Sequence, residues 1–324
     1  MTVTPMEAAP PAELVRVIRS GFHEGSHAGA AVVLDPAGRV RFAHGPVDAP
    51  VFPRSSNKPF QAMAMLQAGA ELQGADLALA AASHSGEPMH TERVLAMLDR
   101  VGLTEHDLQC PPALPLDEAT RTALIRAGAA PRRVFMNCSG KHAGMLAACL
   151  AAGWDLPSYL DPDHPLQRSI RDTVGELAGE APTAVGIDGC GAPLFAVSLT
   201  GLARAFGRVA AAGPDTVAGR VAAAMRTHPE MVGGTGREDT RLMTQHPDLL
   251  VKGGAEGVHC AALPDGSGVA VKIADGGDRA RMPVLVAGLR RLGLASELLD
   301  ELGTGTVLGG GRPVGTVEVA PGVF

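Results

Sequence analysis

The chain has 324 residues, and 28 Lys and Arg against 34 Asp and Glu give it a net charge of −6. That balance, without any run of basic residues, excludes an overall basic footprint for nucleic acid. With 46% hydrophobic and 19% charged residues the chain can bury a large core, which argues against intrinsic disorder.

Residues 13–21 (ELVRVIRSG) and 28–34 (AGAAVVL) predict strands, and Asp35-Pro36-Ala37-Gly38 predicts a turn into a third strand over 39–44. Pro53 closes this region. Ser55-Ser56-Asn57-Lys58-Pro59 then leads into FQAMAMLQAG, a buried helix by its apolar content. The middle of the chain reads as helices: ADLALAAAS, TERVLAMLDRVG, DEATRTALIRAG, KHAGMLAACLAAG and HPLQRSIRDTVGELAG. Several end at glycine, as helix C-termini do. Residues 183–187 (TAVGI) predict a strand feeding Asp188-Gly189-Cys190-Gly191, and a helical stretch follows, clearest in AGRVAAAMRTH. The last third returns to strands in DLLVKG, GVHCAAL, GVAVKIA and VGTVEVA, with a hairpin turn at Asp265-Gly266-Ser267-Gly268. One more helix is expected over 281–293.

Strands, then helices, then strands is not the βαβα alternation of a doubly wound sheet. It predicts an α+β fold, a central antiparallel sheet with strands from both termini and a helical lobe inserted between them. The expected organisation is a Pro-rich, disordered start over 1–12 and a single unit over 13–324. Within that unit an α/β lobe takes 13–60 and 183–324, and a helical lobe takes 61–182.

No stretch of about 18 uninterrupted apolar residues exists, so no membrane span is expected. The start, MTVTPMEAAPPAE, lacks the basic and apolar regions of a secretory signal. Five cysteines, an odd count in a large chain, argue against a disulfide framework and for a reducing cytoplasm. Trp154, Tyr159 and eight Phe leave few stacking platforms for bases or sugars.

Five segments carry chemistry. In Ser55-Ser56-Asn57-Lys58 a Ser and a Lys three apart share one face at a helix start, where free N–H groups favour a developing oxyanion. A neutral lysine amine can take the serine proton and so activate a weak nucleophile without histidine. The plainer reading is an N-cap serine beside a solvated lysine. Ser83-His84-Ser85-Gly86-Glu87-Pro88 offers two hydroxyls, an imidazole and a carboxylate to a polar ligand, or simply caps a helix. In Asn137-Cys138-Ser139-Gly140-Lys141-His142, Cys138 and Lys141 repeat the Ser55–Lys58 spacing. Gly186-Ile187-Asp188-Gly189-Cys190-Gly191 implies a tight turn. Two Cys and a nearby His suit zinc, though paired C-x-x-C spacing is absent. Cys110, Cys149 and Cys260 sit in apolar runs and read as small buried residues. In the last strands Lys252-Gly253-Gly254 and Lys272 stand out. Lys272, between Val271 and Ile273, faces solvent unless both faces of the sheet are covered.

Taken together, FPRSSNKPFQAM, ASHSGEPMHTERV, NCSGKHAGMLA, GIDGCGAP, GGTGREDTRLM, KGGAEGVHCAALP and VAVKIADGGDRARMP resemble, in order, the signature blocks of the Rhizobium-type L-asparaginases. That family is serine-dependent and zinc-binding, and is similar in fold to serine β-lactamases, penicillin-binding proteins and glutaminases. The resemblance implies a nucleophile at Ser55 with Lys58 as its partner, and a second pair of Ser83 with Lys272. It implies Zn²⁺ held by Cys138, Lys141 and Cys190. His84, Glu87, His142 and Asp188 are expected around these groups or against the substrate. The implied activity is hydrolysis of L-asparagine to L-aspartate and ammonia by a cytoplasmic homodimer, with no nucleic-acid or membrane partner. Glutamine or another small amide is an alternative substrate, since one methylene changes binding by only about 1–3 kcal/mol. Two rivals are a non-catalytic amino-acid binder and an N-terminal nucleophile released by self-cleavage before Thr235.

Overall fold

β1 (Ala12–Arg19) and β2 (Phe22–Leu34) form an antiparallel hairpin whose turn, Ser20-Gly21, is left-handed at both residues. The structure is a computed structural model and describes residues 10–324. The first nine of the twelve residues expected to be disordered lie outside that range, and Ala12 opens β1. β3 (Val40–His44) pairs with the second half of β2, which β1 leaves free. The chain passes through a short β4 (Pro50–Val51) into a 3-10 turn at Arg54–Asn57 and then α1 (Lys58–Gln67).

Helices then dominate: α2 (Gly74–Ala80), α3 (Pro88–Asp99), α4 (Glu118–Arg126), α5 (Ser139–Ala152) and α6 (Pro165–Ala178). α1 and α5 are apolar on all sides and almost wholly buried, which makes them the centre of the helical layer. Each begins beside a cavity-facing segment, so their first turns put Lys58 and Lys141 inside the protein. α5 and α6 stop at left-handed Gly153 and Gly179.

The short strands β5 (Val185–Ile187), β6 (Pro193–Phe195) and β7 (Val197–Ser198) lead to α7 (Leu199–Ala210). Next come α8 (Val217–Thr227), α9 (Pro229–Val232) and α10 (Glu238–Gln245). β8 (Leu250–Gly253), β9 (Val258–Ala262) and β10 (Gly268–Ile273) come after these, then α11 (Asp278–Arg291), α12 (Glu297–Leu302), β11 (Gly305–Gly309) and β12 (Arg312–Val319).

The main sheet is antiparallel in the order β11-β12-β1-β2-β10-β9-β8, with β3 beside β2. The α+β architecture read from the sequence is therefore the fold observed. β12 brings the C-terminal end against β1, so strands from both ends of the chain are neighbours. β8, β9 and β10 are buried at nearly every position because helices cover both faces there; α7 and α11 pack against this end. β8 is the sheet edge, and its last residues meet the 3-10 turn before α1. That junction of sheet edge and buried helix is where the candidate site lies.

Candidate active site

The 3-10 turn starts with Arg54 in the left-handed region, at φ 51°. Its guanidinium holds Asp188 at 2.8 Å and Glu256 at 3.5 Å, which ties the turn to two neighbouring loops. Ser56 Oγ donates to the Lys252 carbonyl at 3.0 Å and fastens the turn to β8. A side chain at Gly254 would put its Cβ 2.8 Å from the Pro53 carbonyl and 3.1 Å from Ser56 Oγ, so only glycine allows this approach. Ser55 is thereby placed in the wall of a cavity of about 310 Å³, together with Ser83, Asn137, Lys252, Gly254 and Arg281.

Lys58 points inward from the first turn of α1 and is 1% exposed. Its amine donates to the Ala82 carbonyl, to Ser83 Oγ at 3.0 Å and to Cys138 Sγ at 3.1 Å. Ser83 is fixed by backbone bonds on either side, Ser83 N to Val232 O and His84 N to Asn137 O. The structure thus brings Ser55, Lys58 and Ser83 together, with the Lys58 hydrogen bond going to Ser83 rather than Ser55.

Across the cavity, Lys252 is 1% exposed, and its amine donates to the Gly253 carbonyl at 2.7 Å. Asp239 lies 3.5 Å away. Burial pushes the Lys252 amine down to about 8, and the neighbouring charge of Lys58 adds to that against the opposing pull of Asp239. Burial also works against the Asp239 charge, but His259 and Lys252 outweigh it and keep this carboxyl well below the usual range.

Behind Ser83 lies a cluster of sulfur and nitrogen. Lys141 Nζ donates to Cys190 Sγ at 2.9 Å, and Lys58 Nζ to Cys138 Sγ at 3.1 Å. The neighbouring Cys190 pulls the Cys138 thiol down to about 5 against its burial, and Cys138 together with burial pushes the Cys190 thiol up. His142 Nδ1 bonds the Tyr159 hydroxyl at 2.6 Å, and its Nε2 is buried with no hydrogen-bond partner. Burial holds the His142 imidazole down to about 4, so it stays neutral. Among the described residues no group of three His, Cys, Asp or Glu side chains is placed to hold a metal ion. A third donor beside the two cysteines would have to be Lys141. Two thiols and an amine, each binding as its deprotonated form, are a donor set that fits zinc.

A family model described as L-asparaginase II matches residues 15–319. The chain belongs to the L-asparaginase II family. Membership supports an amidohydrolase. No curated protein matches the chain. Solved structures similar to it include a β-lactamase from Mycobacterium bovis, at 17% identity and TM-score 0.47, covering 82% of this chain and 94% of that one. A putative β-lactamase from Bacteroides dorei matches at 15% identity and TM-score 0.43, over 81% and 92% of the two chains. Mglu in its native form matches at 18% identity and TM-score 0.43, over 81% of this chain and 63% of its own.

The other residues singled out in this L-asparaginase II family member fall in three places. Glu87 accepts from Ser85 Oγ at 2.5 Å and from Thr235 N and Oγ1 at 2.8 and 2.7 Å, so it clamps two loops. His84 Nε2 bonds Ser139 Oγ at 2.9 Å beneath the cavity, and burial pushes its imidazole well down. Asp188 belongs to the Arg54 bridge and lies 3.7 Å from Cys190 Sγ. Lys272 is the exception. It lies on β10, paired with Ala30, and its amine bonds the Glu256 carbonyl, not Ser83. It does not line the cavity, whereas Lys252 does. Both lysines sit in apolar strand runs, so alternation alone treats them alike. The distinguishing signal is the Gly253-Gly254 pair after Lys252, which lets backbone close on a neighbour. Asp239 and Arg281 were also missed, since nothing in their local sequence marks them as cavity residues. Cys110, Cys149 and Cys260 are buried thiols, as their apolar runs predicted.

Proposed function

We propose that the chain hydrolyses the side-chain amide of L-asparagine to L-aspartate and ammonia. The observation that supports this reading most is one cavity lined by Ser55, Ser83 and Lys252, with Lys58 hydrogen-bonded to Ser83. Ser55 Oγ attacks the amide carbon, and its proton passes to the lone pair of a neutral Lys58 amine one helical turn away, a form that keeps two of the three donations Lys58 makes here. The Ser55 amide, at the start of its 3-10 turn, has no partner within that turn and can donate to the developing oxyanion. The C–N bond then breaks as the leaving nitrogen takes a proton through Ser83, with Lys252 in the place expected of Lys272 as the proton source. Water then adds to the aspartyl ester carbonyl and gives a proton back to Lys252 through Ser83, and the ester C–O bond breaks as Ser55 Oγ takes its proton back from Lys58. When bound at Cys138, Lys141 and Cys190, zinc would act as a Lewis acid that orients the substrate. Asp188 and His142 stand beside those three side chains and would fix their orientation.

Purified protein is expected to release ammonia from L-asparagine, and Ser55→Ala to abolish it. Comparable or faster release from L-glutamine would move the assignment to a glutaminase. Asparagine binding in a calorimeter without turnover would make the protein a binder. A single band near 33.1 kDa on a denaturing gel retires cleavage before Thr235.

A further inference from the structure

We propose that Asp239, oriented by His259, is the positioning residue that holds the Lys252 amine against the cavity. This inference rests on the amidohydrolase reading given above. Asp239 comes from α10, the first helical turn after the Gly233-Gly234-Thr235-Gly236 loop, and is buried in the cavity wall beside Lys252 of β8 and His259 of β9. Each carboxylate oxygen has a fixed donor. Oδ1 accepts from His259 Nε2 at 2.7 Å, and Oδ2 accepts from the Gly253 amide at 2.9 Å. Because a carboxylate can only accept here, His259 must carry its proton on Nε2. Its Nδ1 has no hydrogen-bond partner.

A buried carboxylate fixed by two donors is a rigid negative charge. The Lys252 amine lies 3.5 Å from Oδ2, so the same oxygen that locks the end of β8 also anchors its lysine. Three cations also act on Lys252, namely Lys58 from α1, Arg237 ahead of α10 and Arg281 from α11, while Glu238 of α10 and Asp278 of α11 line the same cavity. Asp239 is the one carboxylate within ion-pair distance of the Lys252 amine among the described residues, and so the counter-charge that keeps Lys252 protonated and able to give a proton to the leaving nitrogen. His259 does not itself line the cavity, and its Nε2 bond to Asp239 holds the carboxylate in place.

The test is the pH profile of kcat/KM for ammonia release by the full-length Asp239→Asn protein, with its melting curve recorded to show that it folds. Asn keeps the shape and can accept from the Gly253 amide, but carries no charge. The alkaline limb, set by loss of the Lys252 proton, is expected to move down by about one pH unit or more. Asp239→Glu, which restores the charge, should return the limb toward higher pH. A folded Asp239→Asn protein whose limb does not move, or whose activity falls equally at every pH, overturns the proposal. Absence of ammonia release by the unaltered protein at every pH would instead overturn the amidohydrolase reading, so the two failures are distinguishable.

Discussion

Lys58 makes three contacts at once, to the Ala82 carbonyl, Ser83 and Cys138, and so joins the nucleophile turn to the sulfur cluster. Lys58→Met keeps the buried stem but removes the amine, and is expected to lower kcat by about 10²–10⁴-fold. A loss below tenfold in a steady-state assay would deny Lys58 a part in proton transfer. Asp239 gives a prediction about stability as well. Its folded-state pKa lies below the value in the unfolded chain, so its contribution is full above that unfolded value, near 4. The contribution is lost as pH falls toward the folded pKa. Thermal melts of Asp239→Asn should therefore drop less steeply than wild type between about pH 5 and pH 2. At this scale the sequence is informative wherever residues one helical turn apart act together. The spacing of Ser55 and Lys58 at the start of α1, and of Cys138 and Lys141 at the start of α5, was legible, whereas the side chains those lysines contact, Ser83, Cys138 and Cys190, lie far off in sequence. The pairing of Lys252 with Asp239 was not legible, because it joins a strand to a helix through tertiary packing.

The elements that carry the site are held by loops rather than by their own propensity. Gly234 sits between α9 and α10 at φ 112°, where a Cβ would collide with Ser85 Oγ. Gly234→Ala should therefore displace the Ser85-Glu87-Thr235 clamp and destabilise the fold by about 1–3 kcal/mol, read as a fall in melting temperature. α7 depends on a different device. Ser198 Oγ accepts from the Gly201 amide at 2.8 Å and donates to Glu180 at 3.0 Å. Ser198→Ala is expected to cost about 1 kcal/mol in denaturant unfolding. The long helices and the strands with buried faces were legible because their apolar periodicity is strong. The first half of β2 was not, since residues 22–26 are partly or wholly exposed and carry no apolar alternation. β11 was missed for a related reason: GTVLG is glycine-rich and pairs only with β12, so packing rather than propensity makes it a strand.

Seen whole, the chain threads one sheet from both ends and buries its chemistry where the sheet edge meets α1 and α5. No described helix is long and apolar enough to cross a membrane. The proposed homodimer rests on the family resemblance, and light scattering at micromolar concentration should give twice the mass of one chain. A particle of single-chain mass would contradict it. Chelation should weaken the apparent affinity for asparagine while leaving some turnover at saturating substrate, if a metal at Cys138, Lys141 and Cys190 orients the substrate. The central claim is that Ser55 forms the covalent bond to the substrate. Its most direct test is peptide mapping by mass spectrometry after acid quench during asparagine turnover. The account predicts an aspartyl ester on Ser55, and an adduct on Ser83 or Thr235 instead would contradict it.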